Sequence, residues 1–245
     1  MASVGKATNA GIKRRESPNQ DSIGVFLPGI LYRHPPLLVV ADGMGGYEGG
    51  AIASRLVIEA LKTEVLRAKP QQDYCEVLKA GIVSAHAAVQ SKSQDSPELT
   101  KMGSTVVAAI LKDHVLFLGN VGDSRAYIVN PREIRMVSWD HSFVGEQVRQ
   151  GIITQEEAQV HPRKNILTMS LSAQRPDIDP YITRIELESD DIIVLCSDGL
   201  WGPVPEDQIQ ATVLALSPQQ SANKLVEIAN NNEGPDNISV IVARQ

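Results

Sequence analysis

The sequence contains few cysteines and no long apolar run, and each shortage excludes a class of protein. Two cysteines in 245 residues are too few for a disulfide framework or a cysteine-rich zinc site. No apolar run reaches the roughly 18 residues of a membrane-spanning helix. No apolar segment follows Lys6, as it would in a secretory signal. We therefore expect a cytoplasmic protein that does not bind membranes.

The charge balance excludes a further class. The chain carries 23 Lys and Arg against 29 Asp and Glu, a net charge of −6, and it shows no basic stripe of the kind that binds nucleic acid. Its one tight basic cluster runs from Lys13 to Arg15. With 42% hydrophobic residues and no repeat or long linker, residues 1–245 are expected to form a single domain.

Short apolar runs separated by blocks of helical periodicity predict an α+β fold. Polar turns of a few residues join several runs, which favours antiparallel hairpins over crossover helices and disfavours a doubly wound sheet. Helices are predicted over Ala51–Lys69 and Tyr74–Ser91, and another begins after Ser217. Helices should thus cover a largely antiparallel pair of sheets. The predicted strands are Asp21–Phe26, Leu37–Ala41, Thr105–Leu111, Val115–Val121, Ala126–Asn130, Glu133–Ser138, Ile182–Leu187, Ile192–Cys196 and Ile238–Ala243.

Aspartates stand at the ends of these apolar runs. Asp42, Asp123 and Asp198 each follow a run, Asp236 precedes the last one, and Asp21 opens the first. Carboxylates that converge at one edge of a sheet repel one another, and a hard divalent cation such as Mg²⁺ or Mn²⁺ neutralises them. A single Asp-Gly pair is more often only a turn. The residues alone predict an acidic, metal-binding α+β domain.

A series of short motifs goes further, because their order along the chain is specific. Together they resemble the metal-dependent protein phosphatase family, also called protein phosphatase 2C, and in particular its compact bacterial members. The match runs from about Gly11 to Val242. The motifs are Asn19-Gln20-Asp21-Ser22, Asp42-Gly43-Met44-Gly45-Gly46, Gly103-Ser104-Thr105, Gly122-Asp123-Ser124-Arg125-Ala126-Tyr127, Asp140-His141-Ser142, Ser197-Asp198-Gly199-Leu200-Trp201 and Asp236-Asn237-Ile238-Ser239.

The resemblance implies both a fold and an activity. The fold would be a four-layer α-β-β-α sandwich with two largely antiparallel sheets flanked by helix pairs. The activity would be hydrolysis of phosphoserine and phosphothreonine in proteins by water that two Mn²⁺ or Mg²⁺ ions activate. We accordingly expect phosphorylated proteins as substrates, a cognate Ser/Thr kinase that the enzyme opposes, and a monomeric enzyme.

Carried over by motif, the aspartates take separate roles at the metals. Asp42 would bridge both ions, and the carbonyl of Gly43 would bind one of them. Asp198 and Asp236 would hold the other ion. Asp21 would contact the centre directly or through a bound water. No protein nucleophile is then needed, and the two cysteines are expected to be core residues.

Two further roles follow from the resemblance. Asp123 would join Asp198 at a third, weaker metal site, as in bacterial members. A guanidinium beside the metals would hold the phosphoryl oxygens. The family usually has that arginine three residues before the asparagine matching Asn19, whereas here Arg15 is four and Arg14 five residues before it. Both arginines therefore remain candidates.

The chain also departs from the family pattern. Gln20 stands where many eukaryotic members have a glutamate, and Met44 stands where they have a histidine proposed as the general acid. His141 is expected to make a structural hydrogen bond. Residues 142–172 resemble the variable flap beside the family's active site, although Leu167–Ser172 departs from the usual sequence there.

Two other functions are compatible with the same motifs. A non-catalytic member would bind a partner, but the intact Asp42, Asp198 and Asp236 count against it unless Gln20 disables one metal. A phosphatase for small metabolites would be distinguished by its turnover of sugar phosphates and phosphopeptides.

Overall fold

Two five-stranded antiparallel sheets, packed face to face, form the centre of the molecule. This computed structural model describes residues 3–29, 34–46, 48–69 and 71–244. The first sheet has the order β1-β13-β12-β8-β9 and the second β11-β7-β6-β3-β2, with a small third sheet β10-β5-β4. The strands are β1 Ser3–Asn9, β2 Ser22–Phe26, β3 Leu37–Ala41, β4 Gly43–Met44, β5 Gly103–Ser104, β6 Val106–Lys112, β7 Val115–Val121, β8 Arg125–Val129, β9 Ile134–Met136, β10 Leu171–Ser172, β11 Tyr181–Glu186, β12 Ile192–Cys196 and β13 Ile238–Arg244.

The central strands are apolar along their whole length because both of their faces are covered. In β3, Leu38 and Val40 point between the sheets and pack with residues of the first sheet such as Leu195. Leu37 and Val39 point the other way, into a cluster formed with helices. The sheets thus share one inner core, and each has a second core on its outer face.

Helices form the two outer layers. Helices α1 (Gly49–Arg67) and α2 (Tyr74–Gln94) pack on the second sheet through a shared apolar cluster. The first sheet is covered by α5 (Asp198–Trp201), α6 (Glu206–Ala215) and α7 (Pro218–Asn231). The four-layer sandwich with antiparallel sheets is confirmed.

Helix starts follow the local sequence. The helix start predicted after Ser217 is present: Ser217 forms a capping box with Gln220, and α7 begins at Pro218. A second capping box, at Thr154, opens α4 (Gln155–Val160). Together with α3 (Phe143–Arg149), α4 lies inside the segment 142–172. Over the described ranges, no helix is both long and apolar enough to cross a membrane.

The sequence did not predict β1 or α6. Strand β1 pairs only with β13 at a sheet edge, so most of its residues are at least partly exposed and the apolar alternation is weak. Helix α6 begins after Pro205 without a side-chain cap. Both elements owe their position to packing rather than to a strong local signal.

Candidate active site

A cavity of about 560 Å³ lies over the end of the sandwich where the aspartates converge. Asp42 follows β3 of one sheet and Asp198 follows β12 of the other, so the two sheets each contribute a carboxylate. Asp123 and Asp236 line the same cavity. The convergence predicted from the strand ends is therefore present. Other lining residues are Lys13, Arg14, Ser17, Pro18, Gln20, Gly43, Met44, Gly45, Gly46, Thr105, Asn165 and Leu167.

Backbone hydrogen bonds hold Asp42 in place. Its amide donates to Thr105 Oγ1 at 3.1 Å, and the Thr105 amide donates back to the Asp42 carbonyl at 2.8 Å. At Gly43, a Cβ atom would lie 2.1 Å from the Gly50 carbonyl oxygen. Only glycine permits this approach of α1 to the loop after β3, which explains the Asp42-Gly43 sequence.

Asp21 lies behind the cavity and is not one of its lining residues. Its side chain is buried, and its Oδ2 accepts a hydrogen bond from Ser197 Oγ at 2.8 Å. Ser197 Oγ in turn accepts one from the Ser239 amide at 3.0 Å. The Oδ1 atoms of Asp21 and Asp198 are buried and accept no hydrogen bond from the described residues. Two carboxylate oxygens are thus available to a cation.

Burial and mutual repulsion raise the pKa values of these carboxyls. Burial raises the pKa of Asp21 to about 7 and that of Asp198 to about 6, and the charge of Asp236 contributes to both shifts. Burial and then the charges of Asp21 and Asp198 raise the pKa of Asp42 well above its usual value. Burial and the charge of Asp198 do the same for the pKa of Asp123. A bound cation would relieve this repulsion.

The donor set fits a hard divalent cation, although its side chains are not yet arranged around one. Among the residues that the structure describes, no three His, Cys, Asp or Glu side chains form a ready metal shell. Asp236 Oδ2 instead accepts a hydrogen bond from Arg14 Nη2 at 2.8 Å, and Asp21 Oδ2 accepts one from Ser197 Oγ. The donors are all oxygens, as Mg²⁺ and Mn²⁺ prefer.

The structure distinguishes the two candidate arginines. Arg14 lines the cavity and is held there by its ion pair with Asp236. Arg15 is exposed and does not line the cavity. Lys13, which belongs to the same basic cluster but was given no role from the sequence, lines the cavity and pairs with Glu233. Since Lys13 and Arg15 flank Arg14 in one turn, only the local backbone decides which side chain faces the aspartates.

Sequence reasoning missed the residues that support Asp123. The indole Nε1 of Trp201 donates to the Asp123 carbonyl at 2.9 Å. The Arg125 guanidinium lies 3.6 Å from the centre of the Trp201 ring and is bound on its other side by Asp140, at 2.7 Å between Nη2 and Oδ2. All three of these residues stand inside the motifs quoted above, but spacing alone does not reveal that they support Asp123.

The two cysteines and His141 are not among the residues that line the cavity. Cys196 is buried in β12, and burial raises the pKa of its thiol to about 12. Cys75, in the first turn of α2, is only partly buried, so the prediction that it is a core residue is wrong. The Nδ1 atom of His141 accepts a hydrogen bond from the Gly122 amide at 3.2 Å. Burial lowers the pKa of this imidazole, in keeping with a neutral structural residue.

Comparison with known proteins identifies the family. The model of the family described as "Protein phosphatase 2C" matches residues 10–231. The chain belongs to the protein phosphatase 2C family. This confirms the resemblance inferred from the motifs, and the family's fold agrees with the four layers described above.

Relatives and a solved structure show how far the similarity extends. The chain is 32% identical over 235 residues to the serine/threonine phosphatase stp of Listeria monocytogenes, covering 93% of this chain and 90% of that protein. It is 34% identical over 225 residues to the serine/threonine protein phosphatase PstP of Mycobacterium tuberculosis, covering 92% of this chain but only 42% of that longer protein.

The solved structure contains metal. The crystal structure of the catalytic domain of PstP, in complex with two manganese ions, superposes with a TM-score of 0.84 at 32% identity. The match covers 100% of this chain and 99% of that one. A similar fold thus holds two manganese ions in PstP, and the oxygen donors that line the cavity of this chain are of the type that manganese prefers.

Proposed function

We propose that this chain is a Mn²⁺- or Mg²⁺-dependent serine/threonine protein phosphatase. The observation that carries the proposal is the cavity that carboxylates from the strand ends of both sheets line together with Arg14, which pairs with Asp236. Such a site attracts two cations and, with them, a phosphoryl group. The relatives named as serine/threonine phosphatases support the same function.

The metal ions, when bound, supply an activated water and screen the phosphoryl oxygens. Asp42 would hold both ions and Gly43 would offer its carbonyl oxygen to one. Asp198 and Asp236 would hold the other, and Asp21 would bind it directly or orient a bound water. The Thr105 hydrogen bonds keep Asp42 fixed. Arg14, released from Asp236, would donate to two phosphoryl oxygens of the substrate.

A third, weaker metal site would involve Asp123 and Asp198. Both carboxyls line the cavity, and the charge of Asp198 contributes to the raised pKa of Asp123. Trp201 would keep Asp123 in position through its hydrogen bond to the backbone carbonyl.

The physiological setting is proposed from the same function. Phosphorylated proteins are the substrates, and a cognate Ser/Thr kinase supplies them. The enzyme acts as a cytoplasmic monomer in a single domain over residues 1–245. Within it, residues 142–172 form a flap beside the site, since Asn165 and Leu167 line the cavity.

The decisive experiment is hydrolysis of a phosphothreonine peptide by the purified protein with Mn²⁺, with Mg²⁺ and with a chelator. We expect phosphate release with metal and none with the chelator. Sugar phosphates should be turned over more slowly than the peptide. Preferred turnover of sugar phosphates would favour a metabolite phosphatase, and no turnover by folded protein would favour a non-catalytic member.

The two arginines provide a matched pair for testing the phosphate contact. Arg14→Ala is expected to lower kcat/KM for the phosphopeptide about 10- to 100-fold, because a hydrogen bond to a charged group contributes roughly 1.5–3 kcal/mol. Arg15→Ala removes the same charge outside the cavity and should change kcat/KM less than about twofold. Steady-state kinetics at saturating Mn²⁺ measures both values. A larger loss in Arg15→Ala would reverse the assignment.

A further inference from the structure

A second cavity, of about 310 Å³, adjoins the metal cavity. We call it the flap groove; it lies between α4 of the segment 142–172 and the short helix α5. Asn165, Asp198 and Asp236 line both cavities. A substrate whose phosphate is held in the metal cavity would therefore have this groove beside its neighbouring residues.

Helix α4 forms one wall of the flap groove. Gln155, Ala158 and Gln159 all line it, and their spacing places them on one face of the helix. Val144 of α3 adds an apolar surface beside Ala158. Ala158 contributes only a small side chain to this wall, and the two glutamines carry amide groups that can hydrogen-bond a peptide backbone.

The other wall is mainly apolar, and the one buried charge that it contains, on Arg125, is paired with Asp140. Trp201, Pro203 and Pro235 line it together with Arg125. Asp140 binds the Arg125 guanidinium through Nε and Nη2, and Tyr127 accepts from Nη1 at 3.1 Å. Arg125 therefore offers the groove a neutralised, stacked surface rather than a second phosphate site.

We infer that the flap groove binds an apolar side chain of the protein substrate, adjacent to the phosphorylated residue. This inference rests on the proposed phosphatase function and assigns it a sequence preference. The volume falls at the lower end of ligand pockets, and it leaves room for a side chain as large as leucine. Burying a leucine side chain is expected to raise kcat/KM about tenfold or more over alanine.

Peptides that differ only beside the phosphothreonine test the inference on the unchanged enzyme. Leu, Ala or Asp is placed at each flanking position in turn, and p-nitrophenyl phosphate serves as a substrate without flanking residues. We expect the Leu peptide to exceed the Ala and Asp peptides by about tenfold in kcat/KM at one position. Equal values would overturn the inference alone. Preference for Asp would show that Lys164, which also lines the groove, decides recognition, and would overturn it too.

A matched pair of variants locates the preference in the groove. Ala158→Leu places a larger side chain on the face of α4 that lines the groove and should reduce the ratio of Leu to Ala peptide turnover toward one. Val160→Leu enlarges a side chain of the same helix that is 84% exposed and should leave the ratio intact. A thermal melt verifies that both variants fold, and an unchanged ratio in folded Ala158→Leu would overturn the inference. Absence of turnover with every substrate, including p-nitrophenyl phosphate, would instead overturn the proposed function and this inference with it.

Discussion

Replacing Asp42 with asparagine is expected to lower metal-dependent hydrolysis by at least about 10³-fold while the fold persists. Asp42 is the carboxylate proposed to hold both ions, and losing several kcal/mol of metal-based stabilisation corresponds to losses of this size. The amide keeps the shape of the side chain, and the Thr105 hydrogen bonds involve only the Asp42 backbone. Phosphopeptide turnover with Mn²⁺, together with a circular dichroism spectrum, measures both outcomes.

Asp95→Asn is the matched control for this substitution. It makes the same chemical change at the exposed C-cap of α2, away from the cavity. Its turnover should equal that of the unchanged enzyme. If Asp42→Asn retained full turnover, the two-metal mechanism would be wrong.

The metal-free protein is expected to lose stability as the pH rises from about 4 to 7. Asp21 and Asp198 have folded-state pKa values of about 7 and about 6, above the ordinary 3.8. The native state therefore holds more protons than the unfolded state in this range, and its stability falls as those protons leave. Since one pKa unit corresponds to about 1.4 kcal/mol, the shift of Asp21 alone lowers stability by on the order of 4 kcal/mol above pH 7.

Thermal melts in chelator across this pH range measure the effect. A loss of that size corresponds to a fall in Tm of roughly 10 °C for a domain of this length. Added Mn²⁺ at pH 8 should recover much of it, because the ion replaces the lost protons between the carboxylates. A Tm in chelator that rose steadily from pH 4 to 7 would show that the carboxylates do not repel one another in the folded protein.

The same repulsion links activity to stability at Asp42. In chelator at pH 8, Asp42→Asn should melt at a higher temperature than the unchanged protein, because it removes one charge from the buried group. The variant is thus expected to be inactive and yet more stable when metal-free. Residues retained at a stability cost are typical of functional sites.

Much of the fold was predictable because its signals are local. Leu37–Ala41, Val115–Val121 and Ile192–Cys196 were predicted with the bounds that the strands have. Each is a mainly apolar segment that lies between residues typical of turns. The capping box at Ser217 likewise marked the start of α7.

Elements that depend on distant partners were missed. Edge strand β1 gains its order from pairing with β13, more than 200 residues later in the chain. Nothing in Ser3–Asn9 alone distinguishes it from a loop. Weak local patterns of this kind are decided by packing.

The sequence alone determined the chemistry of this protein: carboxylates at strand ends, glycine after Asp42, and an order of motifs that identifies the family. These are properties of residue type and spacing, which one chain displays directly. The tertiary structure alone decided which side chains line the cavity. Arg14 lines the cavity and Arg15 does not, and Asp21 lies behind it. Ala158 and Trp201 both line the flap groove. Those relations depend on backbone direction and on contacts between distant segments, and neither is encoded in any local pattern.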